Sequence, residues 1–275
     1  MANEQKGSLV VVGTGIKVIS QTTISARSYI ENADVVFTAT SGAVAARWIE
    51  SLNDNVVSLT SLYAEGKSRV TTYQQMMELM CNAVYEGKRV CAAFYGHPGV
   101  FVYPTHKVVE RLSAEGYHAV MEPGISAEDC IVADLGIDPG NTGCQALEAT
   151  QFLFYQHQLD VSSLVILWQV GLSGDHLLNT LDLDKINPAL QVLTDELLAY
   201  YPPSHEVIIY EAATVAIMAA KIERLPLKDL PNTKPSLMST LVIPAFKPLE
   251  FDHQTLKRLG LTFEQVVNAT QVEAQ

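Results

Sequence analysis

A chain of 275 residues, 48% hydrophobic and 17% charged, holds enough apolar material for one large or two medium cores, which excludes a disordered polymer. Its formal charge of −12 argues against a partner built mainly of phosphate, so no nucleic acid is expected. The short polar stretch Met1 to Gly7 and the lack of a long apolar run are read as a cytoplasmic, soluble chain with no membrane partner. Cys81, Cys91, Cys130 and Cys144 show no C-x-x-C spacing and the seven histidines form no ligand pair, so buried free thiols and no metal are expected.

In chain order, Ser8 to Val12 is a short β-branched run that ends in Gly13-Thr14-Gly15-Ile16, a buried strand turning sharply at its carboxyl end. A dinucleotide fingerprint does not fit, because no third glycine follows and the next strand, Asp34 to Thr38, does not end in an acidic residue. Between them Thr22 or Thr23 caps a helix through Ile24, Ala26 and Ile30. Ala43 to Glu50 reads as a second helix and Asn55 to Leu59 as a third strand, so alternation predicts a mainly parallel sheet. The polar segment Ser61 to Tyr73, with Gly66, leads into a helix through Met76, Met80 and Val84. Thr71 and Thr72 each stand three residues before a glutamine, leaving the helix start open. If helical turns reach back to Arg69, it shares a face with Tyr73.

Arg89 to Phe94 then reads as a buried strand that opens into Tyr95-Gly96-His97-Pro98-Gly99-Val100-Phe101. In an open α/β sheet this Gly/Pro-rich bend is where a ligand sits, with Gly99 expected to let the backbone approach it or to take φ > 0. A helix from Pro104 to Glu115 and a strand from Tyr117 to Met121 follow. Glu122-Pro123-Gly124 breaks the chain, and Ser126 caps a helix through Cys130 and Leu135. Beyond it Gln151–Phe154, Leu164–Gly171, Glu206–Tyr210 and Ser239–Pro244 read as strands, with a helix from Ala189 to Tyr200. The segment Pro248 to Gln275 holds an amphipathic stretch around Leu256, Leu259, Phe263 and Val266, suited to docking on the body or on a partner.

The ordered set Gly13-Thr14-Gly15-Ile16, Tyr95 to Phe101, Pro123 to Asp129 and Ser239-Thr240 resembles the tetrapyrrole (corrin/porphyrin) methylase superfamily. The stretch Leu62-Tyr63 to Tyr73, with Ile137-Asp138-Pro139 and Leu167 to Gly171, resembles its borosin branch, which methylates backbone amides of ribosomally made peptides. The resemblance implies two α/β domains, a mainly parallel N-terminal sheet (1–122) and a mixed C-terminal one (123–248), with S-adenosylmethionine in the cleft between them. Residues 249–275 are a tail for dimer or partner contact.

Carried over residue by residue, the resemblance makes Tyr95, His97, Val100 and Phe101 cofactor contacts. Ser126 and Ala127 lie near the adenosine on this reading, and Gln169, Tyr210, Ser239 and Thr240 complete the pocket. Tyr63, Arg69 and Tyr73 form the catalytic group, while Glu211 and Thr214 receive no role. An amide nitrogen must lose its proton as the methyl arrives, and a phenol beside a guanidinium suits that task. Tyr73, assisted by Arg69, takes or relays the proton, while Tyr63 or Arg69 donates to the carbonyl oxygen. Which tyrosine is the base stays open.

Alternatives are methylation of a tetrapyrrole precursor or of rRNA, or a catalytically silent peptide-binding module. The tail is short and lacks a long run of small apolar residues. The expected substrate is therefore a separate precursor peptide bound in trans by a homodimer, two of each chain in all.

Overall fold

The computed structural model describes residues 6–64, 67–175 and 188–272. It consists of two five-stranded sheets, and the chain passes from one to the other once, after residue 121. The first is built from β1 (Ser8–Gly13), α1 (Ile24–Asn32), β2 (Val35–Ala39), α2 (Ala43–Glu50), β3 (Val56–Ser58), α3 (Arg69–Tyr85), β4 (Arg89–Phe94), α4 (Tyr103–Ala114) and β5 (His118–Met121). All four pairings in the order β3-β2-β4-β1-β5 are parallel.

Period-two alternation sorts these strands onto two helical layers. Leu9, Val11, Val90 and Ala92 face Met76, Met80 and Val84 of α3 and Val108 and Leu112 of α4. Val12, Val36, Cys91 and Ala93 face Ala26 and Ile30 of α1 and Ile49 of α2. The chain thus leaves β1 toward one face and β4 toward the other, although the two strands are hydrogen-bonded neighbours. Such a reversal opens a crevice at the carboxyl ends of the two strands, where their outgoing loops part.

The second half runs α5 (Ala127–Leu135), α6 (Pro139–Thr142), β6 (Cys144–Glu148), α7 (Ala149–Phe154), β7 (Leu164–Trp168), α8 (Ala189–Leu198), β8 (Glu206–Glu211), β9 (Lys221–Pro226) and β10 (Thr240–Ile243). Its sheet, in the order β6-β7-β10-β8-β9, pairs β6 and β7 parallel and the other neighbours antiparallel. One face, with Val165, Leu167, Ile209 and Leu241, packs on Phe152 of α7 and on Leu190, Leu193 and Leu197 of α8. The other face carries Leu164, Ile166, Trp168, Tyr210 and Val242 and packs on Cys130 and Ile131 of α5. Ile16 and Tyr95 from the first half join that cluster, so the loops after β1 and β4 are clamped against the second sheet.

Several boundaries differ from the sequence expectation. Gln151–Phe154, expected as a strand, lies in α7, because the Glu148 carboxylate accepts the Gln151 N–H at 2.7 Å and starts a helix there. The strand is instead the preceding Cys144–Glu148. The run from Leu164 stops being a strand at Trp168, where Gln169 turns to φ 56°. α3 starts at Arg69, capped by Ser68 rather than by Thr71 or Thr72. Gly66 lies outside the described residues.

Thr23, not Thr22, caps α1. In the tail, α9 (His253–Arg258) and α10 (Phe263–Val272) leave Leu259 and Phe263 exposed, with Phe251 edge-on to Phe263 at 4.9 Å. Among the described residues no helix is long and apolar enough to cross a membrane.

Candidate active site

Three glycine-bearing loops meet at the crevice. Gly15 and Gly96 exchange backbone hydrogen bonds, stitching the loop after β1 to the loop after β4. A Cβ on Gly13 would overlap the Gly96 carbonyl oxygen and lie 3.2 Å from Gly124 Cα, so the third loop, before α5, closes on the same point. Gly96 adopts φ 69°, a conformation that favours glycine. Of the two roles expected for Gly99, close approach to a ligand or a positive φ, the second is not taken. An added Cβ there would meet Met121 Sδ and the His106 ring, so the position is constrained by packing under α4.

Two histidines hold the Gly99 peptide units from opposite sides. The Gly99 N–H donates to His97 Nδ1 at 3.0 Å, and His106 Nε2 lies 2.7 Å from the Gly99 carbonyl oxygen. A carbonyl only accepts, so His106 carries a proton on Nε2; His97, accepting on Nδ1, carries its proton on Nε2 when neutral. The Thr105 hydroxyl ties the Pro98 and Val102 carbonyls, at 2.6 and 2.7 Å, to the first turn of α4.

A cavity of about 420 Å³ lies between these loops and the second sheet. Tyr95, His97, Val100, Phe101, Ser126 and Ala127 line it from one side and Gln169, Tyr210 and Thr240 from the other. Nine of the ten residues expected to contact a cofactor thus surround one space. Ser239 is the exception: it is fully buried, and its hydroxyl donates to Glu211 Oε1 at 2.5 Å and accepts from the Ser236 N–H at 2.8 Å.

Glu211 and Thr214, left without a role by the sequence, stand on the cavity wall with Met218, Leu237 and Met238. Burial works against ionising Glu211, but hydrogen bonds from Ser239 and Ser236 and the Lys221 ammonium 3.5 Å away outweigh it and hold its carboxyl below the usual range. The signal available in the sequence was its place at the end of the β8 apolar run, next to Tyr210.

Tyr210 is itself anchored. Its hydroxyl donates to Asp134 Oδ2 at 2.7 Å, and burial followed by that carboxylate pushes the phenol far up, so the ring remains neutral. Burial likewise pushes Tyr95 up to about 12.

A second cavity, about 510 Å³, adjoins the first and shares Phe101, Val102 and Gln169 with it. Arg69, Tyr103, His106, Glu148 and the α7 end, Phe154 and Tyr155, form its other walls. Phe101 at φ 55° and Gln169 at φ 56° are two of the three non-glycine residues with positive φ among the described residues. Both stand on the partition between the cavities, where backbone strain of about 1–3 kcal/mol each is held by surrounding structure. Phe101 is half exposed and packs on Trp168 with ring centroids 5.8 Å apart.

The expected catalytic group gathers at the start of α3. Arg69 and Tyr73 are one turn apart, and the Tyr73 ring lies 6.1 Å from Tyr103. Arg69 Nε is buried and has no hydrogen-bond partner among the described residues, an orphaned donor of a side chain that lines the second cavity. Tyr63 follows the short turn Thr60–Leu62; burial and then the neighbouring Tyr73 push its phenol up to about 12, against the pull of Arg69. Arg69 lines the second cavity directly, with Tyr73 one helical turn on from it.

A family model for tetrapyrrole (corrin/porphyrin) methylases matches residues 8–231. A methyltransferase/ribosomally synthesized cyclic peptide dendrothelin A precursor from Dendrothele bispora is 47% identical over 207 residues, 75% of this chain and 49% of that protein. A methyltransferase/ribosomally synthesized type I borosin cyclic peptide precursor from Coprinopsis marcescibilis is 41% identical over 251 residues, 90% of this chain and 64% of that protein. The chain therefore spans about half to two thirds of the length of these relatives.

A solved cobalt precorrin-4 methyltransferase of cobalamin biosynthesis superposes with a TM-score of 0.65 at 16% identity, covering 90% of this chain and 99% of that one. That likeness concerns the fold. The family match opens at the first residue of β1, takes in the three loops of the crevice and runs past β9, so sequence and architecture converge: the chain belongs to the tetrapyrrole (corrin/porphyrin) methylase family.

Proposed function

We propose that this chain transfers methyl groups from S-adenosylmethionine to backbone amide nitrogens of a peptide; the relatives are each named as methyltransferase and cyclic peptide precursor in one protein. The observation that carries this reading is the orphaned guanidinium Nε of Arg69, a buried donor facing the space where an acceptor such as an amide carbonyl would lie. The cofactor suits the first cavity. Its volume lies in the range of small-molecule sites, its walls are mostly apolar, and Glu211 offers a carboxylate for a cationic ligand. His97 Nε2–H and the Ser126 and Thr240 hydroxyls add polar groups, and Gly96 keeps the loop surface low.

S-adenosylmethionine supplies an electrophilic methyl group when bound. The remaining work falls to side chains of this protein. An amide nitrogen shares its lone pair with the carbonyl, so it becomes a nucleophile only as its proton leaves and charge moves to oxygen. Arg69 donates to that oxygen. Tyr63, with its phenol at about 12, stays protonated at neutral pH and serves as a second donor. Tyr73 is then the proton acceptor, one helical turn from Arg69. Phe101 and Gln169, on the partition, set the line of approach between the two cavities.

The peptide is presented in trans in this reading, by a homodimer that carries two substrate chains. The test is mass spectrometry of the chain expressed alone and of a candidate peptide incubated with chain and cofactor. Increments of about 14 Da on backbone amides of the added peptide support the reading. Increments on the chain itself keep the chemistry but move the substrate in cis, and none on either overturns the proposal.

A further inference from the structure

We infer that His106 is the proton outlet of the reaction, the base that receives the amide proton from Tyr73 and passes it to water. This rests on the peptide N-methylation proposed above. Each N–H replaced by N–CH3 releases one proton, which leaves with the positive charge the sulfonium loses. Once Tyr73 has taken that proton it is a neutral phenol, and it must be reset before the next methyl group. A phenol gives up its proton to water reluctantly, whereas an imidazole is the side chain suited to take up and pass on a proton.

His106 is placed and prepared for this. It lines the second cavity together with Arg69 and Tyr103, and Tyr103 is the ring against which Tyr73 packs. Tyr103 and His106 are three residues apart on α4 and share a face. The Gly99 carbonyl fixes Nε2 as the protonated nitrogen, so in the neutral ring the lone pair is on Nδ1. Protonation of Nδ1 leaves the Nε2 bond to Gly99 intact, and the ring takes up and releases a proton without disturbing the loop that lines the cofactor cavity. His106 is also exposed, which gives the proton a path to solvent.

The other titratable groups around it serve less well. Arg69 is a permanent cation and Lys107 is paired with Glu110 at 2.7 Å. His97 already uses its Nδ1 lone pair on Gly99, and Glu148 accepts from the Gln151 N–H at the start of α7. Glu148 and Asp175 are carboxylates, weaker bases than imidazole by their chemistry, and Tyr155 is another phenol.

The experiment compares parental protein, His106→Gln and His106→Ala across pH on one methylatable peptide. Glutamine keeps a donor for Gly99 and removes the base. Expected are unchanged S-adenosylmethionine affinity and thermal midpoint in His106→Gln, with turnover about 100-fold lower at neutral pH and recovering as pH rises. Added imidazole should restore part of the rate in His106→Ala. A His106→Gln variant with parental turnover and pH profile overturns the inference. So does a slow variant whose pH profile is parental and whose alanine counterpart imidazole does not rescue, because that marks a purely structural role. If the parental protein methylates no peptide amide, the proposed function is itself wrong and the role of His106 falls with it.

Discussion

At Gly13 the absence of a side chain has a definite cause, since a Cβ there would overlap the Gly96 carbonyl oxygen and press on Pro98 Cδ at 2.8 Å. Gly13→Val should therefore separate the loops after β1 and β4, destabilise the fold by about 1–3 kcal/mol and abolish cofactor binding in calorimetry. Parental affinity in that variant would show that the stitched loops do not shape the cavity. The proposed catalytic group makes a different prediction. Tyr73→Phe should lower turnover about 10²–10⁴-fold with cofactor affinity unchanged, because Tyr73 is not among the residues that line the first cavity. Tyr63→Phe should cost less, since Arg69 still donates to the same oxygen; equal losses in the two variants would undo the division into base and donor. Gly13, Tyr95 and His97 were legible in the sequence because their motif is local. Glu211 was not, because its role depends on Ser239 and Lys221, which only the pairing of β8 with β10 and β9 brings to it.

At the scale of elements, what the sequence revealed follows the strength of local signals. The largely buried strands β1, β2, β4, β7 and β8 are apolar runs between breakers, and α5 carries its full capping box, with Ser126 and Asp129 each bonding the other's backbone N–H. Ser126→Ala should lower the thermal midpoint through a loss of about 1 kcal/mol, and it should also weaken cofactor binding because the cap lies on the cavity wall. An unchanged midpoint would mean that α5 is held by packing alone. The edge strand β9, Lys221 to Pro226, was missed because it is polar and largely exposed on both faces; only its register with β8 makes it a strand. The switch from β6 to α7 at Glu148 was missed because the cap is a glutamate, outside the usual Ser, Thr, Asp and Asn set. Burial in the centre of the first sheet has a consequence for pH. It pushes the Cys91 thiol from 9 up to about 12, so the folded chain holds a proton that the unfolded chain gives up above about 9. Stability should be full below pH 9 and fall from there toward 12, by up to about 1.4 kcal/mol per pH unit. Denaturant midpoints at pH 8 and 10 should diverge less in Cys91→Ala than in the parental chain, and an identical slope would remove Cys91 as the cause.

For the whole molecule, the first cavity lies between the two sheets and is walled by both. Tyr95 and His97 belong to the loop after β4, whereas Gln169, Tyr210 and Thr240 hang from the second sheet, and Ile16 with Tyr95 already packs into the cluster around Trp168. A ligand that fills this space touches both halves at once, so its binding energy adds to the cohesion between them as well as to local order. Binding to the folded state alone stabilises by mass action, about 2.7 kcal/mol at a ligand concentration one hundred times Kd. Scanning calorimetry with increasing S-adenosylmethionine should thus show the thermal midpoint rise steadily. If the two halves melt separately in the free protein, their transitions should merge as the ligand is added. Thr240→Val, a change on the second sheet, should reduce that shift while leaving the first sheet's own packing untouched, because the hydroxyl lost lies on the cavity wall and the shape is kept. A midpoint that does not move with ligand would mean that the cavity is not where the cofactor binds. A midpoint that moves while two separate transitions persist would place the ligand on one half alone.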